Sequence, residues 1–199
     1  MTEKMVEFFQ NTIRLKRMLR NGWVSSGVPP SAVESVADHS FMVAIISLIL
    51  ALADQEKNTK VDIEKVLIMA LLHDLSESVT QDINRCVKKF SPDSYDNFKS
   101  DLDKNATSFL LEFLPTKQAE YLSDIHQEFV KRESKEAIIV HNADRLETLM
   151  QLQQYREIGL SKQMFSAFFD TFEQEINNYD NELVKALATQ FFGLSNNDK

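Results

Sequence analysis

The chain has 199 residues, a formal charge of −8 and a pI near 5.1, long enough to bury roughly 70% of its unfolded surface without help from a metal or disulfide. Hydrophobic residues at 43% and charged residues at 26% exclude wholesale disorder. Four glycines and four prolines are too few for a sandwich or barrel of many short strands, and the acidic balance excludes a general nucleic-acid-binding surface.

In chain order, the first ten residues mix acids with apolar side chains, so no signal peptide is expected. Met5, Phe8, Phe9, Ile13 and Leu19 recur at helical spacing and predict a helix over 3–20. Residues 1–20 hold five basic side chains (Lys4, Arg14, Lys16, Arg17, Arg20) against Glu3 and Glu7, while the rest of the chain is strongly acidic. On charge alone this is a solvated basic face. Residues 22–30 hold two of the four glycines, two of the four prolines and the only tryptophan, Trp23. They predict one long loop, a place where function concentrates.

Ser35-x-x-Asp38 is a capping-box pattern that opens a second helix to about Ala53 and accounts for Asp38. Asp62 caps a third helix, whose stretch Val66 to Leu72 is apolar on every side and reads as buried all round. Ser91-Pro92 starts a fourth helix, Pro115-Thr116 a fifth to about Arg132, and Ser134 a sixth ending near Gly159. Two more fit 163–177 and 180–192; Phe165, Phe168, Phe169 and Phe172 fall on one face there, as core or as a subunit contact. With no repeat or linker, the expectation is one all-α domain over 1–194, a helical bundle, and a polar, disordered tail over 195–199. The lone Cys86 cannot close an internal disulfide, fits a reducing compartment and excludes a cysteine-based zinc knuckle; with no base near it in sequence it reads as inert. The longest apolar run, Phe41 to Ala53, is about 13 residues where a membrane span needs roughly 20. A cytoplasmic protein with neither membrane nor nucleic-acid partner is expected.

The costliest residues are His73 and Asp74, directly after the all-apolar stretch. A buried carboxylate needs a cation or loses its charge. The adjacent histidine favours a metal over Arg or Lys, since imidazole plus carboxylate suits Zn, Mn, Co or Fe. Alone, the pair reads better as a satisfied core pair, but three features shift that reading. His39 lies in the first turn of the second helix, ahead of its apolar run. Asp144 sits on the shoulder of the apolar face built by Ile139, Ala143, Leu146 and Met150. Glu77 follows His73 by four and Asp74 by three, on the same side of the helix, where a carboxylate suits water activation.

His39, His73-Asp74 and Asp144 in this order resemble the ligand pattern of the HD-domain superfamily of metal-dependent phosphohydrolases. More closely, residues 34–40 (Glu34 to Ser40), 73–77 (His73 to Glu77), Asp82-Ile83 and 143–147 (Ala143 to Glu147) resemble its 5'-deoxynucleotidase family, over roughly residues 12–160. The resemblance implies an HD-type bundle and one divalent transition metal (Co, Mn, Zn or Fe) held by His39, His73, Asp74 and Asp144. It makes Glu77 and Asp82 the catalytic carboxylates that position or activate water. Arg20-Asn21-Gly22-Trp23 resembles the motif set against the nucleotide, with Arg20 (or Arg17) on phosphate and Trp23 crowding the sugar's 2' position. The implied substrate is a nucleoside 5'-monophosphate, the implied assembly a homodimer.

Part of this stands on chemistry alone. Phosphate-ester hydrolysis asks for positioning and charge neutralisation, and a guanidinium matches phosphate in bidentate fashion. Glu147 falls oddly within the apolar arc of the sixth helix, which leaves support of a metal ligand as one reading. His126 and His141 read as surface or packing histidines, with recruitment to a second metal as the alternative. Leu75-Ser76-Glu77 lacks the lysine typical of cyclic-dinucleotide phosphodiesterases, and Ser78 breaks the Glu-Asp pair of alarmone hydrolases. The other readings are hydrolysis of another phosphorylated metabolite or nucleotide, and a metal-bound nucleotide sensor without turnover; Glu77 and Asp82 speak against the sensor.

Overall fold

The strongest helix starts in the sequence are the starts of the central helices. The computed structural model describes residues 1–196, without the side chains of Arg85, Cys86, Leu194, Ser195 and Asn196. Helix α1 (Thr2–Thr12) runs into a 3-10 turn (Ile13–Arg17), followed by α2 (Asn21–Ser25), α3 (Val36–Glu56), α4 (Ile63–Leu72) and α5 (Glu77–Thr80). A 3-10 turn (Arg85–Phe90) leads to α6 (Pro92–Leu111), α7 (Thr116–Lys131) and α8 (Lys135–Glu157). After Lys162–Phe165, another 3-10 turn, come α9 (Ser166–Glu175), a turn at Ile176–Asn178, and α10 (Glu182–Asn196). No strand occurs among the described residues, so the chain is all-α.

The capping box at the start of α3 is complete. Ser35 Oγ accepts from the Asp38 amide at 3.1 Å, and Asp38 Oδ2 accepts from the Ser35 amide at 2.9 Å, a motif worth about 1 kcal/mol. Asp62 and Ser134 cap α4 and α8 in the same way, through the Lys65 and Ala137 amides. Helices α3, α4 and α8 pack together, with α7 and α10 against them. Their shared core holds Val43, Leu50, Val66, Met69, Ala143, Leu146 and Leu149, all buried. A second cluster gathers Trp23, Val28, Leu152, Tyr155, Phe165 and Phe169, so the phenylalanine-rich segment is core.

Three expectations shift. The first helix stops at Thr12, because Met18–Arg20 is extended: Val36 N donates to Met18 O at 2.7 Å and Arg20 N to Glu34 O at 3.2 Å. These bonds place Arg20 beside the start of α3. The stretch Val66 to Leu72 is not buried all round, since Leu71 is 61% exposed. The expected loop at 22–30 is helical as far as Ser25. The polar tail begins inside α10 at Ser195, while residues 197–199 and the Cys86 side chain lie outside the description.

By length and composition α3 is apolar enough to cross a membrane, yet its inner face is core and carries His39. Its outer face leaves Phe41, Ile45, Ile49 and Leu52 exposed at helical spacing. Leu149, fully buried between α8 and its neighbours, gives the core a direct test. Leu149→Ala is expected to cost about 2–5 kcal/mol in urea unfolding; a cost below about 1 kcal/mol would show that this core is not packed as described.

Candidate metal centre

His39 stands one residue past the capping box, fully buried. Helix α8 meets its ring from both sides. Asp144 Oδ1 lies 3.2 Å from His39 Nε2, and Glu147 Oε2 lies 2.5 Å from His39 Nδ1. The spacing of three residues on α8 therefore puts one carboxylate on each ring nitrogen.

Helix α4 ends at Leu72, not beyond Glu77, so His73 and Asp74 sit at its C-terminus in a tight turn. His73 Nδ1 is 2.7 Å from the Ala70 carbonyl oxygen, which can only accept. Nδ1 therefore carries the proton, and the neutral ring presents a lone pair at Nε2. That atom is 3.3 Å from His39 Nε2 and 3.3 Å from Asp74 Oδ2. Asp74 Oδ2 is in turn 3.7 Å from His39 Nε2. The donor atoms of His39, His73 and Asp74 all lie within 4.8 Å of one another.

Arg20 Nη1 donates to Asp74 Oδ2 at 3.0 Å. Burial opposes charge on Arg20, yet Asp74, Asp144, Glu77 and Asp82 together hold it charged. Arg17 lies exposed at the end of the 3-10 turn. Asp82 accepts the Asn21 amide at 2.5 Å, and the Asn21 side chain reaches the Asp82 carbonyl oxygen, so the residue after Arg20 fixes Asp82. The turn into Asp82 holds Gln81 at φ 66°, a conformation that costs a non-glycine residue about 1–3 kcal/mol. Glu77, at the start of α5, is buried, and its Oε2 has no hydrogen-bond partner. Burial, then Asp74 and Asp82, push Glu77 well above the usual carboxylate range, against Arg20 and Lys99.

Trp23 is 2% exposed, stacks on Phe168 at 4.4 Å and donates from Nε1 to Glu34 Oε1 at 2.8 Å. The indole is thus next to the cluster in sequence but inside the core. The half-buried Glu34 and the buried Glu147 come together at His39; burial and Glu147 push Glu34 up to about 7. The misfit of Glu147 on an apolar face marked it in the sequence, while Glu34 carried no such signal. Lys99 of α6 also reaches Glu77, and nothing in the sequence pointed to it. His126 is buried beside Thr107, and His141 stacks on Phe129 at 4.2 Å, so both serve packing.

The HD domain family matches residues 12–187, a span that holds all four candidate ligands. The chain belongs to the HD-domain family. A 5'-deoxynucleotidase of Dictyostelium discoideum is 30% identical over 190 residues, covering 93% of this chain and 95% of the relative. One from Photorhabdus laumondii is 32% identical over 143 residues, covering 71% and 70%. These relatives place the chain on the 5'-deoxynucleotidase branch. A conserved hypothetical protein from Pyrococcus furiosus has the same fold, with a TM-score of 0.73, 30% identity and coverage of 92% and 99%.

The donor set of this HD-domain chain fits a metal. Ligand atoms about 2.1 Å from an ion stand about 3.0–3.4 Å apart, close to the 3.2–3.7 Å separations here. His39, His73 and Asp74 converge, with Asp144 joined to them through His39, and such a set of acceptors calls for a cation. Without one, a proton takes its place. Burial and Arg20 oppose charge on His39, but Asp144 and Glu147 push it up to about 10. Burial likewise opposes charge on Asp74 and Asp144, yet the histidines and Arg20 hold both well below the usual carboxylate range.

A value raised from 6.5 to about 10 means that the His39 proton stabilises the metal-free fold below about pH 6.5, and that this stabilisation is lost as pH rises towards 10. The melting temperature of chelator-treated protein is expected to fall across that window, and Mn²⁺ or Co²⁺ to abolish the fall. A flat profile without metal would contradict the placement of His39.

Proposed function

We propose that this HD-domain protein hydrolyses the phosphomonoester of (deoxy)nucleoside 5'-monophosphates, using one divalent transition metal held by His39, His73, Asp74 and Asp144. The observation that carries the reading is Glu77: a buried carboxylate beside a set of metal-competent donors, with one oxygen free of any hydrogen bond. A sensor that only binds has no use for such a base. The names of the relatives supply the substrate class.

When bound, the metal supplies Lewis acidity toward the phosphoryl oxygens and lowers the pKa of water. Glu77 accepts a proton from the attacking water at its free Oε2; its raised proton affinity suits a base working near neutral pH. Asp82, pinned by the Asn21 amide, helps position that water. Arg20 spends one N–H on Asp74 and has others to meet phosphate. As the water oxygen bonds to phosphorus, the bond to the sugar's 5' oxygen breaks and that oxygen takes a proton. Trp23, two residues after Asn21, is the proposed neighbour of the sugar, acting from within the aromatic core. Arg17, being exposed, is the weaker candidate for phosphate.

A cytoplasmic location is part of the proposal, supported by the single cysteine. So is a homodimer, supported by the exposed stripe of Phe41, Ile45, Ile49 and Leu52 on α3. Sedimentation should give twice the chain mass, falling to one chain mass in Ile45→Glu/Ile49→Glu; a monomeric parent would remove the dimer from the proposal.

The activity is tested with Co²⁺ or Mn²⁺ by phosphate release from deoxyribo- and ribonucleoside 5'-monophosphates. Asp74→Ala is expected to abolish release, and Glu77→Gln to lower kcat by about 10²–10⁴. No release with any divalent metal would overturn the enzyme reading. Equal rates on dAMP and AMP would leave a 5'-nucleotidase but remove the role of Trp23.

A further inference from the structure

Lys99 and Asp103 stand four residues apart on α6, the spacing of an ordinary surface ion pair. Two observations set them apart from one. Ser76, 2% exposed in the turn between Asp74 and Glu77, donates from Oγ to Asp103 Oδ1 at 3.0 Å. Lys99 Nζ donates to the same Oδ1 at 2.8 Å and stands 3.7 Å from Glu77 Oε1. The pair is therefore locked to the segment that carries the base. Its lysine adds positive charge beside Glu77 at a separation beyond a hydrogen bond.

From this geometry we infer that Lys99 is the positioning residue for Glu77, itself held in place by Asp103 and Ser76. The inference rests on the reading of Glu77 as the base. A buried carboxylate flanked by Asp74 and Asp82 needs a compensating cation to stay ionised. Arg20 also bears on Glu77 by its charge, but its hydrogen bond goes to Asp74, and Lys99 is the side chain in ion-pair range of Glu77 among the described residues. Because Lys99 supplies charge without a hydrogen bond to Oε1, and Oε2 has no partner, Glu77 keeps its lone pairs for water. The hydrogen bond from Lys99 goes instead to Asp103, which fixes where the ammonium stands. The short turn from Asp74 to Glu77 is tied to α6 by the same oxygen, so Glu77 is held from its backbone and by its charge.

The test is steady-state kinetics on dAMP with Mn²⁺, with bound metal and melting temperature measured for each variant. Lys99→Met is expected to lower kcat at least about tenfold with KM within about twofold, at unchanged metal content. Lys99→Arg should recover part of the loss, and Asp103→Asn should move kcat in the same direction by less. In a Glu77→Gln background, Lys99→Met should add little, because it acts through Glu77. A rise in KM with kcat retained would make Lys99 a phosphate ligand and overturn the inference. So would an unchanged kcat, or a full additional loss in the Glu77→Gln background. Wild-type activity in Glu77→Gln alone would instead overturn the base reading on which the inference stands. Should Lys99→Met not fold, Lys99→Arg and Asp103→Asn decide the outcome by the same split between kcat and KM.

Discussion

A fully buried imidazole held between two carboxylates of one helix is the interaction around which this protein is arranged. His39 has no contact with water, and α8 places Asp144 at one of its ring nitrogens and Glu147 at the other. For that to happen the first turn of α3 must face the middle of α8. The capping box fixes where α3 begins, and the packing of α3 on α8 fixes which face it turns inward. The extended segment Met18–Arg20 pairs with the same helix start, so Arg20 reaches Asp74 by backbone registration. The ring, the arginine and the His-Asp turn are therefore located by one junction of the chain.

Charge explains the rest of the neighbourhood. Asp74 and Asp82 come close enough to Glu77 to raise its proton affinity, and Glu34 and Glu147 meet at His39. So many acids in one place are unfavourable unless cations balance them. Two side chains contribute, Arg20 from the basic N-terminal segment and Lys99 from α6; the proposed divalent ion would supply the rest. The basic N-terminal segment, notable in an acidic chain, sends only Arg20 into the cluster. Lys4, Arg14, Lys16 and Arg17 stay exposed, where they bias the local field seen by an anionic substrate.

The helix starts and the residues of the cluster were legible in the sequence for physical reasons. Caps are local, so Ser35, Asp62 and Ser134 announce their helices without reference to the fold. Charged residues at the end of an apolar stretch are costly, which made His73 and Asp74 conspicuous. What stayed hidden depends on contacts far apart in the chain. The early end of α1 follows from pairing with residues 34–36, and the exposure of Leu71 depends on which neighbours α4 has. Helix α4 stops before His73, so Glu77 reaches the cluster from a separate short helix and not along a shared face. Glu34 and Lys99 sit in ordinary polar contexts, and only the folded chain shows that they meet Glu147 and Glu77. The place of Trp23 in the aromatic core beside Tyr155 and Phe168 does not show in its loop-like sequence surroundings.

In the proposed site, two imidazoles and two carboxylates hold one divalent ion at the junction of α3, α4 and α8. X-ray absorption at the metal edge of the Co²⁺- or Mn²⁺-loaded protein tests this most directly. The cluster predicts one tightly bound ion per chain, with two imidazole nitrogens in its coordination shell and one fewer after His73→Ala. A bound ion whose spectrum contains no imidazole, or one unaffected by replacing either His39 or His73, would contradict it.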